Sequence, residues 1–284
     1  MLKKIRGRRV SSISVHISLL PILVVGLLVL ADSCYCPLFG YIGGATTQSG
    51  SITLPQSSAT ASPRPPALVQ HAFQHSQATT DALAFARNVG SGDLLLVAIT
   101  SNQMAVTGVR DNQSTSWDTF QRIGQPLVAT PANQSDHVEL WYASNVSAGQ
   151  TTVTVSFSAP PAYSTDAHTV GIYEYAGLNH LSPLAQIVEA IGVGNMPDAG
   201  RLPAPYLHTG LYFVVGGDGG PNLSVGNDIT PVQAGVGFTL EDQQDNPDFE
   251  RFYTEDRIGT EATNASFSLT YPANWGVICV LFVS

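Results

Sequence analysis

From Ala67 to Ser284 the apolar positions fall in short runs bounded by Gly, Asn, Asp, Ser and Pro, and no window holds a helical period. The runs include Leu83–Asn88, Asp93–Thr100, Val138–Ala143, Thr151–Ser158, Thr169–Tyr175, Leu211–Val215, Arg251–Ile258, Ser266–Tyr271 and Trp275–Val283. Two of them, LLLVAI and WGVICVLFV, are apolar at both parities, which predicts central strands covered on both faces. Others alternate: Val138, Leu140 and Tyr142 share one face, Glu139 and Trp141 the other. Roughly a dozen strands at spacings of about 8–15 residues predict an all-β fold, a single large β-sandwich of jelly-roll type over residues 67–284. Asn88-Val-Gly-Ser-Gly-Asp and Asn145-Val-Ser-Ala-Gly-Gln are similar turns. Their likeness extends no further along the chain, so it reads as shared turn chemistry rather than a domain repeat.

The N-terminus has a different pattern. Five of the 12 basic residues (Lys3, Lys4, Arg6, Arg8, Arg9) precede an apolar run of 13, Leu19–Ala31. That length suits the apolar stretch of a signal peptide better than a spanning helix of about 20 residues. Residues 1–33 are therefore expected to form a signal peptide or membrane anchor, with a helical apolar segment. Small residues at Ala31 and Ser33 allow cleavage before Cys34, an uncleaved anchor keeps the basic end inside, and lipidation at Cys34 is a third route. Ala31 and Asp32 depart from the Leu and small residue usual before a lipidated cysteine. Residues 34–66 are read as a disordered linker, Ser/Thr/Pro/Gly-rich and without the apolar periodicity that would order it.

Charge sharpens this division. The chain has 12% charged positions and a net charge of −9, and beyond Cys34 its basic residues are all arginine. An acidic, lysine-free body behind a basic start fits export to the extracellular space or cell surface. It argues against nucleic-acid binding, which needs clustered Lys and Arg. Contact with a membrane is expected only through the N-terminal segment. Only 3 Cys in 284 residues exclude a disulfide scaffold. Cys279, inside an apolar run, reads as a small buried hydrophobe.

Several stretches together carry a resemblance: NVGSGDLLLVAI (88–99), VTGVRDNQSTSW (106–117), VELWYASNVSAGQTTVTVSFS (138–158), IYEYAGL (172–178) and YTEDR (253–257). This succession resembles a family of largely uncharacterised secreted bacterial β-sandwich modules, also seen in phage structural proteins, often beside fibronectin type III repeats. Asp111 and Trp117 keep the spacing of the family's Asp-x-x-Gly-Asn-Thr-Trp, but Ser114 and Thr115 replace Gly-Asn. The resemblance implies a β-sandwich and export, and it brings no catalytic residues.

Signatures of chemistry are sparse. No Gly-x-Ser-x-Gly elbow, His-Glu-x-x-His, Walker loop or paired Cys-x-x-Cys occurs. Gly216-Gly-Asp-Gly-Gly-Pro lacks the lysine of a phosphate cradle and reads as a turn. In the acidic segment 241–250, Asp242, Asp245 and Asp248 offer hard oxygens for a structural Ca²⁺, the one cofactor considered; a solvated acidic loop is the alternative. Glu139, Glu174, Glu255 and Asp256 lie in or beside strands. Two of them facing across a cleft would suit glycoside hydrolysis. Otherwise they form ion pairs, for which Arg257 or Arg110 would serve Glu174. His71 and His75, at i and i+4, fall in a strand or linker reading and are weak metal candidates.

Aromatic residues beside Asp, Asn and Gln are the means by which proteins hold sugars, the ring face stacking and the hydroxyls hydrogen-bonding. Trp141, Trp117, Tyr173 and Tyr175 are the ligand-binding candidates, Trp141 foremost because it opposes the apolar parity of its strand. The expected function is a non-enzymatic surface module binding polysaccharide or another cell-surface component. A structural subunit acting by self-association comes second, and a carbohydrate-active enzyme third.

Overall fold

The computed structural model describes residues 64–102, 104–113, 118–129, 136–158, 167–206, 209–218, 231–245 and 251–284, which lie in one compact unit, Ala59–Ser284. The expected signal or anchor, the cleavage and lipidation site at Cys34, nearly all of the linker, Trp117 and Asp248 lie outside the described residues. Among the described residues every regular element is a strand. The first half supplies β1 (Ala67–Ser76), β2 (Thr80–Ala84), β3 (Leu94–Asn102), β4 (Val106–Arg110), β5 (Gln121–Val128), β6 (Asp136–Ala143), β7 (Thr152–Phe157) and β8 (His168–Ala176). The second supplies β9 (Leu184–Gly194), β10 (Asp198–Leu202), β11 (Gly210–Asp218), β12 (Thr239–Asp245), β13 (Arg251–Gly259), β14 (Thr263–Ser266) and β15 (Ala273–Val283).

All pairings are antiparallel. The first half forms a five-stranded sheet, β1-β8-β3-β6-β5, and a three-stranded sheet, β2-β7-β4. The second forms β12-β13-β11-β15-β9 and the pair β10-β14. A single two-sheet sandwich is expected from the sequence; the described residues instead make four sheets. Their strand orders coincide when β1, β2, β3, β5, β6, β7 and β8 are matched to β9, β10, β11, β12, β13, β14 and β15. Even β4 has a remnant. Ser158 N–H donates to Ala105 O at 2.8 Å beside β4, and Ser268 and Gln233 exchange backbone hydrogen bonds at 3.0 Å beside β14. A repeat is therefore present in the topology. What survives of it in sequence is little more than Ser156-Phe-Ser158 against Ser266-Phe-Ser268, because corresponding positions now pack different neighbours.

Three cores separate the four layers. β3 and β8 send Leu95, Val97, Ile99, Val170 and Ile172 outward to Val153, Val155 and Phe157 of the three-stranded sheet. β11 and β15 send Tyr212, Val214, Val277 and Cys279 outward to Leu202, Ala265 and Phe267. Between the large sheets lie Leu94, Leu96, Leu140 and Tyr173 against Leu211, Phe213, Val280 and Phe282. β3 and β15 are buried on both faces, as their apolar runs predict. Each such side chain contributes about 1.5–3 kcal/mol relative to exposure.

The large sheets meet through a local two-fold relation. β1 reaches β12, the counterpart of β5, through His71 and Asp242. On the other side β9, the counterpart of β1, lies against β5: a side chain at Gly124 of β5 would meet Ile187 and Glu189. The two similar turns also meet each other. Val89 and Gly149 exchange backbone hydrogen bonds at 2.8 and 3.1 Å, and Gly92 N–H donates to Val146 O at 2.9 Å. Asn145 holds φ 55° there, a left-handed position that Asn tolerates better than most residues.

Candidate functional sites

Two places on this frame concentrate chemistry. The first is a ledge on the outer face of β5 and β6, where the three-stranded sheet covers its five-stranded partner incompletely. Val138 and Leu140 of β6 point into the inter-sheet core, while Glu139 and Trp141 point outward. Trp141 is half-buried, packs against the core under β4 and β7, and donates its indole N–H to Glu139 Oε2 at 3.1 Å. Arg122, directly opposite Trp141 on β5, sets its guanidinium 5.8 Å from the indole ring and 3.8 Å from Glu139. Burial raises the Glu139 carboxyl above its ordinary value, opposed by Trp141, Arg122 and the Val106 N–H. The indole is thus fixed by a hydrogen bond and a cation–π contact while part of it faces solvent.

The second place lies between the large sheets at the β1/β12 edge, and the sequence reading assigned it no joint role. His71 Nδ1 bonds Asp242 Oδ2 at 2.9 Å, and its ring stacks on Tyr173 at 5.9 Å. Tyr173 OH meets Thr254 Oγ1 at 2.8 Å, and Thr254 Oγ1 accepts the Asp242 N–H at 3.2 Å. Tyr175 OH donates to Asp256 Oδ2 at 2.7 Å, and Asp256 in turn hydrogen-bonds Glu241. Two carboxyls in contact hold one proton between them, and burial with Asp256 nearby lifts Glu241 to about 7. At the symmetry-related edge the corresponding positions are Ile187, Ile123, Val280, Leu140, Phe282 and Tyr142, and all of them belong to or pack on the same apolar core. Apolar packing alone therefore suffices to join the sheets at one edge; the other carries a hydrogen-bonded polar network in its place.

The remaining candidates are placed differently from expectation. Tyr173 and Tyr175 are 0% exposed, so their faces offer no platform to a sugar; parity carries both toward the second large sheet. Asp242 is 5% exposed and its carboxylate bonds His71 between the sheets, which removes it from a solvent-facing Ca²⁺ loop. Asp245 is a strand position opposite Arg251. Among the described residues no group of three or more His, Cys, Asp or Glu side chains is placed to hold a metal ion. Among the described residues Glu174 has no arginine partner of the expected kind: it accepts from Gln70 Nε2 at 2.5 Å and from Gly90 N–H at 2.7 Å, with Asp93 alongside. Glu255, 0% exposed, accepts the Gly235 N–H at 2.7 Å, and burial lifts it to about 8. Glu255 and Asp256, neighbours on β13, point to opposite faces, one to the outer core and one between the sheets. The inter-sheet network has no sequence signature, because its members come from β1, from β8 and from the β12–β13 pair, three separate stretches of the chain. Compared with known proteins, the chain matches no family model, no curated protein and no solved structure.

Proposed function

We propose that this chain is an exported, non-enzymatic surface protein built of two jelly-roll-type sandwiches, and that it binds polysaccharide on the β5/β6 ledge. The observation that carries the reading is Trp141, part-exposed yet held by Glu139 and Arg122. The part of the indole that faces solvent beside the Arg122 guanidinium offers an apolar surface and a hydrogen-bond donor, which suit a sugar's apolar ring face and its hydroxyls, while Glu139, 2% exposed, holds the indole in place. The basic N-terminus and the family resemblance support export. Affinity electrophoresis of the full chain against a panel of cell-wall and plant polysaccharides tests the reading. Retardation that is lost in Trp141→Ala is expected, and no retardation by any polymer overturns it.

A second reading, self-association, is favoured by one feature. β9 is an edge strand, and its end exposes Ile191 at 58% and Val193 at 78%. Unpaired apolar edges invite strand pairing with another copy. A concentration-dependent sedimentation coefficient that Val193→Lys abolishes would favour this reading over the first.

A further inference from the structure

The polar edge of the junction between the large sheets differs from its apolar counterpart in one backbone detail. The register of β12 slips between Leu240 and Asp242, leaving Glu241 as an extra residue in the strand. At the matching place on β5, Gln121, Arg122 and Ile123 pair with β6 without interruption. Such a bulge re-aims a side chain. Here it brings the Glu241 carboxyl to Asp256 of β13, which already accepts the Tyr175 hydroxyl of β8 at 2.7 Å. Glu241 is half-buried and Asp256 is buried.

Two carboxyls can hydrogen-bond each other only while one of them keeps a proton. Asp256 accepts from both Tyr175 and Glu241, so the shared proton belongs to Glu241. The other titratable groups facing the pair are His71 from β1, Tyr173 and Tyr175 from β8, and Asp242 from β12. β3 and β11 add apolar side chains such as Leu96 and Phe213. Burial holds both phenols well above their ordinary value, so they stay neutral. Asp242 adds negative charge, and His71, when protonated, offsets part of it. Loss of the shared proton leaves two carboxylates in contact and partly cut off from water, a repulsion that opening this edge would relieve. Ile123, Ile187 and Phe282 hold the opposite edge by apolar packing, which does not titrate.

We propose that the β1/β12 edge is a proton-held latch between the two sandwiches, closed while Glu241 and Asp256 share one proton and released when both are ionised, with the apolar β5/β9 edge as its hinge. Burial with Asp256 nearby lifts Glu241 from 4.5 to about 7. Closure is therefore favoured most below about pH 4.5 and is lost as pH rises through 7. For a half-buried carboxyl the closed state gives up roughly tenfold of its advantage across that range. Release bares Tyr173 and Tyr175, which are otherwise fully buried. The latch stands independently of polysaccharide binding.

The test is hydroxyl-radical footprinting of the full chain between about pH 5.5 and about pH 8.5, read ring by ring by mass spectrometry. Tyr206, 84% exposed, is the reactivity standard, and Phe282 reports on the apolar edge. Oxidation of Tyr175 relative to Tyr206 is expected to rise roughly tenfold with pH while Phe282 stays unchanged. In Glu241→Gln the amide donates to Asp256 at every pH, so Tyr175 is expected to stay protected throughout. Asp256→Asn, whose amide donates to Glu241, decides the matter should the first variant fail to fold. Glu255→Gln, altered on the opposite face of β13, is expected to keep the wild-type response. A flat or falling Tyr175 profile in the wild type overturns the proposal. So does a parallel rise at Phe282, a rise that persists in Glu241→Gln or Asp256→Asn, or a response lost in Glu255→Gln.

Discussion

Tyr175 and Asp256 meet between the two large sheets, hydroxyl to carboxylate at 2.7 Å, at the position where Phe282 meets Tyr142 on the other side of the local two-fold. One contact is a hydrogen bond to a buried acid, the other a ring-to-ring contact at 5.8 Å. Removing the tyrosine hydroxyl leaves Asp256 with Glu241 as its remaining side-chain partner. Tyr175→Phe should therefore cost about 1–3 kcal/mol of stability. Urea unfolding would show it as a lower midpoint with an unchanged slope.

Glu255 gives the protein a distinctive dependence on pH. Its carboxyl titrates near 4.5 when unfolded and at about 8 when folded, because burial disfavours the charge. The folded state holds the proton more tightly, so this contribution is complete below about pH 4.5 and fades as pH rises through 8. Glu241, lifted to about 7, acts in the same sense. His137 acts oppositely: burial lowers its value below 6.5, so its contribution is present above that pH and lost on acidification. Glu255→Gln should match the wild type near pH 5 and gain in relative Tm toward pH 8. A Tm series in both proteins checks the divergence.

Gly216 sits beneath the ring of Tyr253, which is itself fully buried and held edge-on to Phe267 at 4.5 Å. A methyl group there would overlap the ring, and the ring has no room to retreat. Gly216→Ala is expected to cost about 1–3 kcal/mol. Gly108, on β4, faces open space, so Gly108→Ala should instead gain up to about 1 kcal/mol by restricting the unfolded chain. Paired denaturation curves separate the two.

Cys279 is wholly buried in the outer core of the second half, and burial pushes its thiol well above its ordinary value. A thiol reagent at neutral pH should leave it unmodified until the sandwich unfolds. Peptide mapping after labelling in native buffer and in denaturant distinguishes Cys279 from the cysteines at 34 and 36.

Much of the first half was legible because alternation reports faces. Glu139 and Trp141 lie opposite Val138 and Leu140, as parity requires, and Trp141 is the member left partly in solvent. Tyr173 and Tyr175, read as ligand-binding candidates because they are aromatic, are covered, since residue type and alternation do not say what lies over a face. Their phenol rings suit a wet platform as well as a core with a hydrogen-bond partner, and here Thr254 and Asp256 supply the partner. Glu174 was legible as a buried acid but not in its bonding. Gln70 and Gly90 reach it from elements that only the sheet order brings beside β8.

The sequence by itself determined that the body is all strand, that β3 and β15 are covered on both faces, and that Cys279 is inside. These follow from local periodicity, which the backbone must obey wherever the chain goes. Tertiary structure alone decided that the strands make two similar sandwiches joined through their large sheets, with one edge of that junction polar and the other apolar. Pairing partners and their counterparts are set by contacts between strands separated by tens of residues in the chain, where side chains need only fit each other and leave no common pattern along it.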